Sequence, residues 1–385
     1  MFDYCANKNA FQEAYNNIAV DLAKKERPIV VQDGIIYPYE HKQGDNILLN
    51  YGGVTDATGK YIKESALERH YGKIVSGIQK RIRSPKKSDE KVVYLGVFFN
   101  HYGHFLLESL SRLSYALKKD DCDIKYAYIG DFALFEPYKT MLSLVGIEEA
   151  DLIKITEPTQ FKEVVIPLPS YRIADYISED YTSIIERIKS SLRANKKYKK
   201  IYLSRGKYDD GKTFGEKQIE ATFRRNGYKI IFPEKLPITE QISMMMGCDT
   251  VAGITGSHMH NVVFCRKNTK IINLNRLSTV PANQIAIELG FRLKGVYIDT
   301  YLDILPNNIG MGPFILGLND SFKKYLVDNR MAFDERLFLK SKRKNIEGFI
   351  EKWGKIYSKE AAYFWIKDAK FNLNDFAKNL AEHLG

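Results

Sequence analysis

Two stretches of this sequence hold side chains that can do chemistry together, and the spacing within each indicates what chemistry that is. Between Asn100 and Leu113, His101, His104, Glu108 and Arg112 recur at intervals of three, four and four residues. On a helix this spacing lines one narrow face. Phe105, Leu106, Leu107, Leu110 and Leu113 dominate the rest of the stretch, where an ordinary surface helix would show a wide polar face. A thin ionisable stripe on an apolar helix suits the wall of a cleft. The plainer reading is a half-exposed helix with an incidental Glu108–Arg112 pair. Burial and a neighbouring charge can move a carboxyl or an imidazole toward neutrality. Glu108 or His104 can therefore take the proton of an attacking hydroxyl, and residue type does not choose between them. His101 and Arg112 would lie on the side of that acceptor.

The second constellation is split between two strand ends. One supplies Ser204, Arg205 and Lys207; the other runs from Gly253 through Gly256, Ser257, His258 and His260 to Asn261. Gly256 allows a close turn and Ser257 is a natural N-cap. A strand, a glycine and a helix start together present free backbone N–H groups, which suit a pyrophosphate. Arg205 adds a fork for the same phosphates, and such donors would also stabilise a departing diphosphate without a metal ion. The plainer reading is a tight turn with a surface cation. Glu234, just past a third strand end, is placed to hydrogen-bond ribose hydroxyls.

These residues need elements to hold them, and the hydrophobic pattern supplies them. Pro28 to Tyr37 reads as two strands about an Asp33-Gly34 turn. From Lys91 onward strands and helices alternate: strand 91–99, helix 103–118, strand 123–129, helix 134–145 and strand 161–168. A helical segment at 178–195 follows, ending in the basic run Lys196 to Lys200. The alternation resumes with strands at 201–204, 229–232, 250–253 and 270–274, and helices at 216–226, 239–246 and 257–264. Repeated βα units imply parallel sheets, with ligands at the carboxyl ends of the strands. After about residue 305 the pattern becomes helical and holds both tryptophans, Trp353 and Trp365.

Composition narrows the class. A chain of 385 residues exceeds what one core usually holds, so two domains are expected. The formal charge of +11 suits an anionic partner, or simply a solvated lysine-rich surface. Cys5, Cys122, Cys248 and Cys265 are scattered, which fits neither a zinc site nor a disulfide framework. The first residues lack a signal-peptide pattern, and no uncharged apolar run approaches the roughly 18 residues of a membrane span. A cytoplasmic protein is expected, with Lys340 to Lys344 as a patch for peripheral contact at the inner membrane face. Asp121 and Asp123 resemble a metal-binding Asp-x-Asp, but they precede a strand instead of ending one. His258 and His260 alone are a poor metal set. No platform of interleaved basic and aromatic residues suggests nucleic acid.

In this order, the pieces resemble glycosyltransferase family 61. The family's His-x-x-x-Asp/Glu element is matched by His104 and Glu108, and its strand ending in Ser-Arg by Ser204 and Arg205. Its Gly-aromatic-strand-Pro-Glu-x-Leu run ending in Glu-Gln is matched from Gly227 to Gln241. Gly253, Gly256 and His258 match its last element. The resemblance covers roughly residues 90–275. It departs from the family at Gly215, where an asparagine precedes the conserved glutamate (here Glu216). It departs again at Met259 and His260, where a small Gly-Ala pair stands, and at Phe264, where the family has asparagine. Bulk at Met259 and His260 would fall beside the phosphates.

The resemblance implies an α/β fold of the GT-B type, with two Rossmann-like βαβ domains and a C-terminal helical segment. Residues 1–195 would form the acceptor-side domain, 196–305 the nucleotide-sugar domain and 306–385 a helical appendage. The implied activity is inverting, metal-independent transfer of a hexose or pentose from a nucleotide sugar, with UDP expected. The implied acceptor is a hydroxyl of a surface polysaccharide, a glycan or a lipid-linked glycan, as in capsule biosynthesis. Glu108 and His104 would be catalytic. Arg205, Ser204, Lys207, Glu234, Gly256, Ser257, His258 and Asn261 would bind the donor. The alternative is a non-catalytic nucleotide-sugar or glycan-binding protein of the same fold.

Overall fold

The computed structural model describes residues 1–23, 27–41, 50–70, 72–117, 124–130, 134–207, 211–304 and 312–357. Asp121, Asp123, Cys122 and Trp365 lie outside these. The described residues fall into two compact units. One contains 17–193 with 285–291; the other contains 1–16, 194–284 and the described residues from 292 onward.

The first unit is built on a mixed sheet. Its parallel strands are β6 (Lys86–Val97), β7 (Lys125–Ile129), β8 (Leu152–Lys154) and β9 (Thr159–Ile166), in spatial order β9-β6-β7-β8. Beside β9 lie β1 (Ile29–Gln32), β2 (Ile35–Glu40) and β3 (Tyr51–Thr55), all antiparallel to their neighbours. The expected hairpin about Asp33-Gly34 does not form. β1 and β2 pair in tandem with β9 instead, Val31 opposite Val164 and Ile36 opposite Thr159. Asp33 sits at φ 50° and its N–H donates to the Lys162 carbonyl, so the dipeptide is a kink within one long edge. Gly34 is required there because a Cβ would come within 2.8 Å of Val164. Ile36, Val54, Val92, Tyr94, Ala127, Ile129 and Val164 form the core of this sheet. A small hairpin of β4 (Leu67–Arg69) and β5 (Gly72–Val75) is a separate two-stranded sheet whose Ile74 and Val75 join the same core.

The second unit holds an all-parallel sheet of β10 (Lys200–Leu203), β11 (Lys229–Ile231), β12 (Thr250–Ile254), β13 (Lys270–Asn275) and β14 (Lys294–Asp299). Its order is β11-β10-β12-β13-β14. Helix α1 (Glu216–Arg225) joins β10 to β11, and α2 (Ile238–Gly247) joins β11 to β12. The chain therefore moves to one side of β10 and returns to the other, which makes the gap between the carboxyl ends of β10 and β12 the switch point of the sheet. Open α/β sheets bind ligands at such points. The helices expected after residue 305 pack into this unit's cores. Phe322, Tyr325 and Leu326 of α3 (Asp320–Asp328) share a core with Ile272, Leu274 and Ile298. Ile346 and Phe349 of α4 (Glu335–Tyr357) pack with Ile304, Ile315 and Trp353. Among the described residues no helix is long and apolar enough to cross a membrane.

Candidate active site

The ionisable stripe of the first unit is held at the carboxyl end of β6. His101 caps the helix start, its Nδ1 accepting from the His104 N–H at 3.4 Å. One α-helical turn follows, Tyr102–His104, and then the helix widens: the Leu110 N–H bonds back to Phe105, five residues earlier. From Leu110 to Leu117 it tightens again. His104 and Glu108 still meet, with His104 Nδ1 2.7 Å from Glu108 Oε2. The wide turn inserts about one residue of phase, and π-turns of this kind are frequent at functional sites.

That phase shift corrects the reading of Arg112. Its guanidinium does not join the stripe but points inward, 4% exposed, and donates to the carbonyls of Pro167, Glu64 and Ala66. Arg112 is therefore a brace for the segment that leads into β4. The end of β4 supplies the residue that sequence spacing missed, Arg69. Its Nε reaches Glu108 Oε1 at 2.7 Å and its Nη2 reaches Oε2 at 2.9 Å, a bidentate fork. No periodicity links residue 69 to residue 108, so only the fold reveals the contact.

This array sets the protonation states. Burial pushes the Glu108 carboxyl upward, but hydrogen bonds from His104 and Arg69, with the charge of Arg69, outweigh it. The carboxyl is held below its usual range. It is not moved toward neutrality, as the sequence led us to expect. Both of its oxygens are engaged, and with the Nδ1 proton directed at Oε2 the acceptor nitrogen of His104 is Nε2. The Arg69 Nη2 lies 3.2 Å from the same Nδ1; in this tautomer both are donors, so the two groups share Glu108 and do not bond each other. Desolvation pushes His101 down to about 4, so it stays neutral beside the pair.

At the switch point of the second unit, Arg205 follows β10 and Gly256 follows β12. Arg205 Nη1 lies 3.3 Å from His258 Nδ1. Burial, and then the charges of Arg205 and Arg276, push His258 well below its usual value. His258 is therefore neutral, and its Nδ1 lies against the Arg205 guanidinium. A Cβ on Gly256 would lie 3.0 Å from Arg205 Nη1 and 3.6 Å from Arg276 Nη2, so two guanidiniums rest against one glycine. Arg276 stacks 3.9 Å from the Phe314 ring centroid. It was not among the sequence candidates, although it follows directly on β13 and the carboxyl-end rule could have found it.

The other donor-side candidates divide. Lys207 is exposed, with Nζ 4.4 Å from the Phe232 ring centroid, and Glu234 is exposed on the turn after β11. Ser204 is buried, and its hydroxyl donates to Glu220 and accepts from the Gly206 N–H. It shapes the turn and does not face it. Gly256 takes the N-cap position, so Ser257 is the first residue of the short helix and caps nothing. Asn261 is 1% exposed and gives its amide to Gln241, which in turn holds the Pro233 and Leu236 carbonyls. Met259 is fully buried with its sulfur over Gly253, where a Cβ would come within 2.6 Å. Its bulk enters the core and not the turn at Gly256. Among the described residues no group of three or more His, Cys, Asp and Glu side chains could hold a metal ion.

A buried acid underlies Arg205. Glu216 Oε1 accepts from the Arg205 N–H at 2.9 Å and from the Tyr202 hydroxyl at 3.3 Å. Burial pushes this carboxyl up to about 8. The native state then holds a proton that the unfolded chain has lost above about pH 4.5. Stability is full below that value, falls as pH rises toward 8, and levels off beyond it. Glu216→Gln should remove this slope, at most about 1.4 kcal/mol per pH unit. Melting temperatures of both proteins from pH 5 to 9 check it: curves that stay parallel would refute the assignment.

Residues 102–272 match the family model for Glycosyltransferase 61.

No curated protein matches the chain. The glycosyltransferase 61 match supports transferase activity on sugars in general. It contains His104, Glu108, Arg205, Glu216, Glu234, Gly256 and His258. Arg69 and Arg276, which complete the two arrays, lie outside it.

Proposed function

We propose that this protein is an inverting glycosyltransferase that moves a sugar from a nucleoside diphosphate, UDP in the first instance, to a hydroxyl of a glycan acceptor such as a surface polysaccharide. The observation that carries the mechanism is the Arg69–Glu108–His104 array. Glu108 holds the imidazole with Nδ1 protonated, and His104 Nε2 takes the proton as the acceptor oxygen attacks the anomeric carbon. The carboxylate then stabilises the imidazolium, the logic of a catalytic triad. Glu108 is thus the orienting residue and His104 the base. Arg205, Arg276 and the backbone around Gly256 receive the diphosphate and neutralise its charge as it leaves, a task otherwise given to a metal ion. Glu234 and Lys207 are the candidates for the nucleoside side of the donor.

The test is a panel of nucleotide sugars incubated with the protein with and without glycan acceptors, with released nucleoside diphosphate measured. UDP should also raise the melting temperature, by mass action on the folded state. Stabilisation by UDP with no release from any donor would favour the binding-protein alternative. Absence of both would sink the proposal.

A further inference from the structure

The basic run before β10 and the strand β11 meet at a cavity of about 320 Å³ that the transferase reading does not use. It is lined by Lys197, Tyr198, Lys229, Phe232, Lys235 and Glu240, over an apolar floor that includes Ile230 and Met244. β11 pairs only with β10 and is the edge of its sheet. None of Arg205, Gly256, His258 or Arg276 lines the cavity, so it is separate from the phosphate turn at the switch point.

Its chemistry is specific in combination. Lys197 and Lys229 place their ammonium groups 5.3 Å and 5.4 Å from the same ring, Tyr198. Lys199, next in the chain, pairs with Asp249 at 3.5 Å, whereas Lys197, Lys229 and Lys235 make no ion pair among the described residues. Two such cations on an aromatic ring, with Lys235 also lining the cavity, call for a ligand that is anionic and also has an apolar face. Glu240 narrows the choice further. A carboxylate accepts hydrogen bonds from hydroxyl groups, which a sugar offers and a polyphosphate or a glutamate peptide does not. An acidic sugar satisfies all three features at once. Its carboxylate or other acid group meets the lysines, its C–H face packs on Tyr198 and Phe232, and its hydroxyls donate to Glu240. The volume lies at the small end of the roughly 300–1,000 Å³ typical of ligand pockets, room for a ring or two and not for a long chain.

We propose that this cavity is a subsite for an acidic sugar unit of a glycan. On the transferase reading it anchors an acidic acceptor away from the reacting hydroxyl.

Isothermal titration of the full chain with trigalacturonate, maltotriose, triglutamate and tripolyphosphate tests it. Trigalacturonate should bind at least about tenfold tighter than the other three, and more weakly at high salt. Combined Lys197→Ala, Lys229→Ala and Lys235→Ala should erase about tenfold or more of that affinity, and Tyr198→Ala a further part. The melting temperature should be unchanged in both. Equal binding of triglutamate or tripolyphosphate would reduce the site to a charge patch and overturn the proposal, as would full affinity in the lysine variant. UDP stabilisation of the same variants reports on the donor site independently. Its absence in the wild type would count against the transferase reading and leave the trigalacturonate result standing.

Discussion

His104→Ala is expected to lower kcat for sugar transfer by about 10²- to 10⁴-fold, the usual contribution of a positioned base, with little change in donor affinity. The reason is geometric. In the wild type both oxygens of Glu108 are engaged, by the Arg69 fork and by His104, which takes three of the carboxylate's roughly four acceptor sites. The imidazole is the more exposed member of the pair, its side chain 32% accessible against 3% for Glu108. Glu108→Gln separates the two roles. The amide keeps the shape, but it can offer an N–H to Nδ1 and drive the proton to Nε2, leaving the ring unable to accept there. Activity should fall by a comparable factor while UDP binding persists. Arg69→Ala leaves Glu108 paired with His104 alone, so its carboxyl should rise and its hold on the tautomer should weaken, with a smaller loss of kcat. Steady-state kinetics with saturating donor, alongside UDP thermal shifts, check the series. Full activity in His104→Ala would overturn the base assignment. A Glu108→Gln variant as active as wild type would show that the tautomer does not matter.

The sequence made the second unit easier to read than the first, for physical reasons. β10 to β13 are short apolar runs, each followed by a helix start or a turn, so period and punctuation agree and the strand boundaries fall within a residue or two. In the first unit a local signal misled. Asp33-Gly34 has the composition of a hairpin turn, but the partner that decides its conformation is β9, more than a hundred residues away. A helix read with a uniform repeat could not anticipate the wide turn at Phe105 to Ser109, and Arg112 was assigned to the wrong face as a consequence. His104 and Glu108 survived that error because four residues separate them and the contact bridges the turn. The side chains of Ser204 and Asn261 escaped sequence reading for another reason. A small polar residue near a phosphate turn can face the ligand or support the loop, and only its buried partners, Glu220 and Gln241, tell which.

The double change of Arg205 and Arg276 to alanine should cost more than either alone but less than their product, because both cations rest on one glycine and serve one anion. Each single change should reduce kcat/KM by about 10²- to 10³-fold, the scale seen when one donor to a developing negative charge is lost. Arg205→Lys should recover little, since a point charge cannot reproduce a planar guanidinium whose Nη1 lies against both His258 and Gly256. His258→Ala should act through Arg205. It frees that guanidinium without removing it, so its effect should be smaller in the wild type and absent when Arg205 is already alanine. Gly256→Ala tests the same cradle from the backbone, because its methyl would crowd both arginines. For Arg276 the expectation rests on geometry alone, as the residue lies beyond the glycosyltransferase 61 match. UDP thermal shifts and initial rates give the readouts. If UDP stabilised the double variant as much as the wild type, the diphosphate would lie elsewhere on the sheet, and the case for transfer without a metal ion would lose its source of positive charge.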